Sequence, residues 1–342
     1  MKRGQLLLVL VLLLALVFLV TQVNRLEEFL HILAAGHPGW IGLGVVALLG
    51  WQVAQAAQFR AAHRAAAVQQ SLLSMLPVVA ANNFVLIAVP TGSLSTFALF
   101  LANARRRGAS PERTTVAVAI FAVFNYLALS IAIVLGLLAL AVRHALYPLE
   151  WLPSLPIFAI ALGQYAALLL AIRSPATVER VATWLAERAN RLGQRWLHRD
   201  LVSVERVHRI GANAASGLDS MRQNGPRAHV LLLLYGLLSQ ALLAIVFGAV
   251  LRAFGQHVTL SIALAGLGVA GLFTVVSPTP VGLGVVEAAV AVVLVSLGME
   301  AGAALIVSLA FRGITLWLPV VYGFIALETL GFRAIQPKEN KE

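Results

Sequence analysis

The sequence predicts an all-α integral membrane protein, a polytopic helical bundle with two broken or re-entrant hairpins in an inverted repeat. Three observations lead there. Of 342 residues, 60% are hydrophobic and only 11% are charged, with a mean hydropathy of +0.89. Soluble domains carry about 45–50% apolar and roughly 25% charged residues. Long apolar runs recur, and a helix needs about 20 such residues to cross roughly 30 Å of hydrocarbon. Two of the runs, Leu72–Ala104 and Thr259–Gly298, are too long for one crossing and are interrupted by proline. The composition alone excludes a water-soluble enzyme. The absence of cysteine removes disulfides, thiolate metal sites and cysteine nucleophiles.

In chain order, Gly4–Val20 follows Lys2 and Arg3 and resembles a secretory signal. No small-x-small cleavage pattern follows Val20, so it is read as an uncleaved anchor helix. Ile41–Phe59, Thr114–Val142, Leu155–Ile172, Val230–Leu251 and Ala301–Leu330 read as single crossings. Leu72–Ala104 carries Asn82, Asn83 and Pro90, and Thr259–Gly298 carries Pro278 and Pro280; both read as hairpins that return to their side of entry. The whole chain is one membrane domain: a first repeat at about 41–142, a linker span with a basic cytoplasmic amphipathic segment at 155–229, and a second repeat at about 230–330.

The charges test this layout, because cytoplasmic loops collect Lys and Arg. The net charge is +11. With six crossings and both termini cytoplasmic, the inner segments hold 21 of the 25 Lys and Arg, ten of them in 173–229. The outer loops hold Arg25, Arg143 and Arg252, and Arg312 alone lies inside an apolar run. The excess is thus a topology signal for the cytoplasmic (inner) membrane, and no nucleic-acid partner is expected. Val178, Val181, Leu185, Leu192 and Trp196 follow helical spacing among arginines. That pattern suits either a solvated helix or one lying on an anionic leaflet, and Trp184 and Trp196 favour the second.

An offset of 190 relates the two broken segments. It carries Pro90 to Pro280, Gly92 to Gly282, Gly108 to Gly298 and Phe121 to Phe311. Each broken segment follows one crossing and precedes another. An odd number of crossings lies between the copies, so the second is inverted. Proline cannot donate and frees carbonyls one turn back. Freed backbone groups are tolerated at membrane depth only when buried in protein or facing water. Inverted repeats of broken helices are a recurrent transporter design; two simple packing kinks are the plainer reading.

Glu287, seven residues after Pro280, and Arg312, in the last helix, are charges at membrane depth. Each needs a counter-charge or water, and Arg can hold a carboxylate with two prongs. Two readings stand side by side: an ion pair that fixes packing, and a polar cavity that handles substrate. Around the first break the candidates are Asn82, Asn83, Pro90, Gly92 and Asn125, with Gln55 in a stripe formed with Gln52 and Gln58. Around the second they are Pro280, Gly282 and Gly284. Interhelical amide bonds, worth about 0.6–2 kcal/mol each, are the bland account of the amides. Tyr126, Gln164 and Gln240 are weaker members of the same class.

Other signals lead nowhere. Gly266-x-Gly268-x-x-Gly271 matches a dinucleotide pattern but lacks a preceding strand, so it reads as close helix packing. There is no Gly-x4-Gly-Lys-Ser/Thr, no HExxH spacing and no nucleophile–base constellation. Neither ATP chemistry nor a metal or other cofactor is expected, and the chain is read as a transporter rather than an enzyme.

The string Pro280-Val281-Gly282-Leu283-Gly284-Val285-Val286-Glu287, with Gly298 and Arg312, resembles the second signature of the lysylphosphatidylglycerol synthase transmembrane-region family. Asn83, Pro90, Gly92 and Gly108 resemble its first. The resemblance covers roughly 71–125 and 270–325. It implies a flippase-like helical bundle whose polar interior moves a lipid head group between leaflets, acting beside lipid-modifying enzymes or glycosyltransferases. Three departures stand out. Thr91-Gly92-Ser93-Leu94 replaces a usual Gly-Glu, uncharged residues around Phe121 and Asn125 replace a usual Arg and acidic residue in the next helix, and Val281 stands where the family often has glycine. The expected partners are membrane lipids, anionic or lipid-linked, together with such an enzyme. The expected function is transfer of a lipid or lipid-linked head group without ATP. A non-catalytic enzyme partner and a carrier of a small soluble solute are the alternatives.

Overall fold

The computed structural model describes residues 29–88, 99–101, 103–104, 108–143, 152, 154–174, 183–184, 188, 190–191, 204–277 and 279–330. Among them there are helices and turns but no strands. The expected anchor Gly4–Val20, the breaker Pro90-Thr91-Gly92 and most of the basic segment at 178–199 lie outside the described residues. The chain is an all-α polytopic membrane protein. Among the described residues the helices include α1 (Pro38–Ala65), α2 (Leu72–Ala88), α3 (Pro111–Val142), α4 (Ser154–Arg173), α5 (Val204–Ala253), α6 (Leu260–Val276), α7 (Val285–Ser296), α8 (Ala301–Arg312) and α9 (Leu318–Thr329). A π-helical turn, Gly313–Trp317, joins α8 to α9 without a break.

Among the described residues, five segments are long and apolar enough to cross a bilayer: Pro38–Ala65, Pro111–Val142, Ser154–Arg173, Gly217–Ala253 and Ala301–Thr329. Each contains one of the apolar runs read as a single crossing; the sixth run is Gly4–Val20. The shorter helices α2, α6 and α7 belong to the two interrupted runs. One boundary differs from expectation. The polar stretch before Val230 is helical from Val204, because α5 continues beyond its apolar part. Gly225, at φ 62° and ψ −161°, followed by Pro226, divides α5 into two rods.

Caps place the helix starts. The Ser110 hydroxyl accepts from the Arg113 amide at 3.3 Å, with Pro111 next in the chain. Thr259 caps α6 through the Ile262 amide at 3.3 Å. Glu300 caps α8, accepting from the amides of Gly302 and Ala303 at 2.9 and 2.8 Å. Those two amides, Gly302's first, hold the Glu300 carboxylate below the usual carboxylate range. A depressed carboxyl contributes stability above its unfolded pKa and loses it as the pH falls through the folded one. Glu300→Gln is therefore expected to lower the thermal midpoint slightly at neutral pH. Wild type and variant should converge in acid, as read by melting curves across pH.

α1 and α5 pack antiparallel at the centre, while α3 runs parallel to α5. The His37 amide donates to the Ala253 carbonyl at 2.8 Å, tying the start of α1 to the end of α5. Leu48, Phe247, Val250 and Leu251 are fully buried between these helices and α6–α8. The glycine pattern in α6 is a packing device, as its reading predicts. A Cβ on Gly268 would lie 2.9 Å from the Gly136 Cα, and one on Gly271 would lie 2.8 Å from Leu129 Cδ1. The α3 and α6 backbones thus touch at a glycine pair. Gly268→Ala is expected to cost about 1–3 kcal/mol by overpacking, seen as a lower thermal midpoint.

The two broken segments enter from opposite ends. Leu72 and Leu76 of α2 and Leu330 just after α9 pack on one cluster that includes Phe59 near the end of α1. Leu99 and Phe100 lie back against Ala80, Ala81 and Met75, so the chain has returned alongside α2. This end also carries Arg60, Arg64 and Arg113. The segment α6–α7 starts at the other end, where Arg143 at the close of α3 donates to Ser261 Oγ at 2.7 Å and Thr259 Oγ1 at 3.1 Å. After the break α7 runs back beside α8, and the Ser308 hydroxyl donates to the Glu287 carbonyl at 2.8 Å. Ile87, near the end of α2, shares a hydrophobic cluster with Val281 and Leu283, so the end of α2 approaches the second break inside the bundle.

Candidate functional site

The second break is built by residues 277–284. The Ser277 and Thr279 hydroxyls lie 2.7 Å apart, and Thr279 donates to the Leu283 carbonyl at 3.0 Å. Pro280–Gly282 form one 3₁₀ turn. Val281, Gly282 and Gly284 all take left-handed backbone, at φ 53°, 74° and 80°. Glycine adopts that region freely, whereas a β-branched residue there is strained. The strained Val281 is held from outside, since Arg312 Nη2 donates to its carbonyl at 2.9 Å.

Arg312 Nε donates to Glu287 Oε1 at 3.1 Å, forming the ion pair. Both residues are buried, at 6% and 7% exposure. Glu287 stands in the first turn of α7, where the helix dipole favours a carboxylate. The pair is joined by one N–O bond rather than the two-pronged contact that arginine can make. The guanidinium is shared with the freed carbonyl of the break, so a break opened by proline and glycine consumes its own backbone acceptor. Nη1 has no hydrogen-bond partner among the described residues. Arg312 lies eleven residues after Ala301, which is about 17 Å of helix rise and near the middle of a hydrocarbon layer roughly 30 Å thick. The π-helical turn begins at the next residue. Such bulges recur at functional sites.

In front of Arg312 lies a cavity of about 260 Å³. Its polar lining is Gln55, Asn83, Asn125, Gln240, Thr274, Thr315 and Arg312; the rest includes Trp51, Ile87, Leu243 and Phe311. Arg312 supplies the one formal charge on the wall among the described residues. Pockets for drug-sized ligands run to about 300–1,000 Å³, so this one suits a head group rather than a whole lipid. Its walls come from α1, α2, α3, α5, α6, the second break, α8, the π turn and α9.

The candidate residues fall into distinct places. Arg312, Asn83, Gln55 and Asn125 line the cavity, and so does the weaker candidate Gln240. Glu287 sits behind Arg312 and does not line it. Asn82 is buried beside Asn83, also off the wall, with its Oδ1 unpartnered among the described residues. Gly282 and Gly284 shape the break, and Pro280 opens its turn. Pro90 and Gly92 lie outside the described residues. Asn83 Nδ2 donates to Gln52 Oε1 at 2.9 Å, and the Tyr322 hydroxyl donates to the same oxygen at 3.1 Å. Gln58 instead turns to α5, donating to the Leu232 carbonyl at 3.1 Å. Sequence reasoning missed Tyr322, Trp51, Thr274 and Thr315. The two threonines, hydroxyls inside apolar runs, were the available signal.

A family model described as the lysylphosphatidylglycerol synthase transmembrane region matches residues 5–323, nearly the whole chain. The chain belongs to that family. No curated protein matches it. The family assignment gives the Pro280–Glu287 string a physical meaning in this lysylphosphatidylglycerol synthase transmembrane-region protein. The string's proline and two glycines bend the chain at depth, and the terminal glutamate anchors the arginine that grips the bend. The departure at Val281 is accommodated by that grip, because its left-handed carbonyl is the atom Arg312 holds.

Proposed function

We propose that this protein moves a lipid, or a lipid-linked head group, between the leaflets of the cytoplasmic membrane without ATP, its basic end and both termini facing the cytoplasm. The observation that carries this reading is the mid-depth cavity with one guanidinium on its wall, framed by amides and hydroxyls and lying where the end of α2 approaches the second break. An anionic head group would take Nη1 of Arg312, with Gln55, Asn83, Asn125 and Gln240 replacing its water. The acyl chains would stay in the bilayer. Glu287 offsets part of the arginine's charge, so an anion is attracted without being trapped. Hairpins that enter from opposite ends support an inverted repeat in which rocking of one half alternates access. The family description supports a link to lipid metabolism.

Vesicles reconstituted with the full chain and loaded with a head-group-labelled phosphatidylglycerol test this. Wild type is expected to equalise the label between leaflets without nucleotide. Asn125→Leu/Gln240→Leu should slow transfer several-fold at nearly unchanged thermal stability. Transfer no faster than in protein-free vesicles would overturn the reading.

A further inference from the structure

A second polar cavity, of about 430 Å³, lies at the basic end between α1 and α5. Arg60 and Arg64 reach it from one face of α1, being four residues apart. Arg227 reaches it from the first turn after the break in α5, with Asn224 and Tyr235 beside it. The lining contains no carboxylate, and none of the three guanidiniums has an ion-pair partner among the described residues. The Nε of Arg60 donates to the Gln70 carbonyl at 3.2 Å, which orients its guanidinium.

The break itself contributes. Asn224 Nδ2 donates to the Ser220 carbonyl at 2.9 Å at the end of the lower rod. Gly225 turns the chain at φ 62°, and Pro226 starts the upper rod. The upper rod therefore begins beside this cavity, with Arg227 and Ala228 of its first turn on the lining, so the positive end of its dipole lies near the arginines. Three cations and a dipole of like sign, gathered without a counter-charge, repel one another unless an anion enters.

We infer that this cavity binds a phosphate group, as a monoester or diester, at the membrane surface. Arginine forks match phosphate oxygens. The exposed Leu231 on the lining offers a path for an acyl chain, and a soluble phosphate compound carries the same recognised group. The inference goes beyond the transfer function and needs nothing of the cavity at Arg312.

The test measures binding to the purified full chain of two probes, dihexanoyl phosphatidylglycerol and inorganic phosphate, by calorimetry. Wild type is expected to bind at least one of them. Arg60→Gln/Arg64→Gln/Arg227→Gln should weaken that binding roughly ten-fold or more, while the corresponding triple lysine variant should fall between. Should the triple glutamine variant not fold, the exposed Arg227→Gln alone is expected to weaken binding several-fold. Binding of the lipid probe alone assigns the site to a head group, and binding of both assigns it to the phosphate itself. Binding unaffected by the substitutions, or absent from wild type, overturns the inference. Because no transfer step is involved, a failure of lipid transfer leaves this result standing.

Discussion

Arg312→Ala is expected to destabilise the bundle by about 3–5 kcal/mol and to abolish lipid transfer. The first effect follows from burial: the substitution strands the Glu287 carboxylate, whose Oε2 already lacks a partner among the described residues, and breaking a buried pair costs that much. It also releases the Val281 carbonyl, which Arg312 holds at 2.9 Å. The second effect follows because Arg312 is the charge on the cavity wall. Glu287→Ala/Arg312→Ala separates the two roles. Removing both charges ends the stranded-charge penalty, so thermal stability should recover in part. Transfer should stay lost, because no guanidinium remains to receive the head group. Recovery of transfer in the double variant would mean that the pair serves packing alone.

Gly282→Ala is expected to be the next most damaging change. Gly282 sits at φ 74° and is buried. A Cβ there would collide with Val286 Cγ2 and lie 3.2 Å from both the Phe273 carbonyl and the Thr274 Cα. The strained conformation and the overpacking together cost about 2–4 kcal/mol. The strain falls on the turn that sets the Val281 carbonyl and the start of α7, so Glu287 and Arg312 should lose register. Transfer should fall more steeply than stability, as read by vesicle assay and melting curve together. Gly284→Ala should be milder, since a Cβ on Gly284 meets open space and only its φ of 80° is penalised.

The pairing of Glu287 with Arg312 was legible in the sequence because two lone charges in apolar runs have few ways to avoid a large cost. The re-entrant second segment was legible from proline and glycine at depth. The grip of Arg312 on Val281 was not, because it depends on which carbonyl the turn leaves free. Nor was the split of the glutamine stripe. Three residues rotate a helix by 300°, so each step turns the stripe by about 60°. Gln52 therefore reaches Asn83, Gln55 reaches the cavity and Gln58 reaches α5. Tyr322 entered the network from a helix far away in sequence, and nothing local marks it. The helical extension of α5 to Val204 was obscured by polarity, since a helix that leaves the membrane has no apolar run to announce it.

The central claim is that a lipid head group leaves the membrane surface and reaches Arg312 in the middle of the bundle. Its most direct test is site-specific photocrosslinking in native-composition membranes, with a photoreactive residue at Asn125 on the cavity wall and another at Ala132, buried in the same helix away from it. A phospholipid adduct at Asn125 that is absent at Ala132, and that disappears in Arg312→Ala, is the expected result. Equal labelling at both positions, or none at Asn125, would contradict the account.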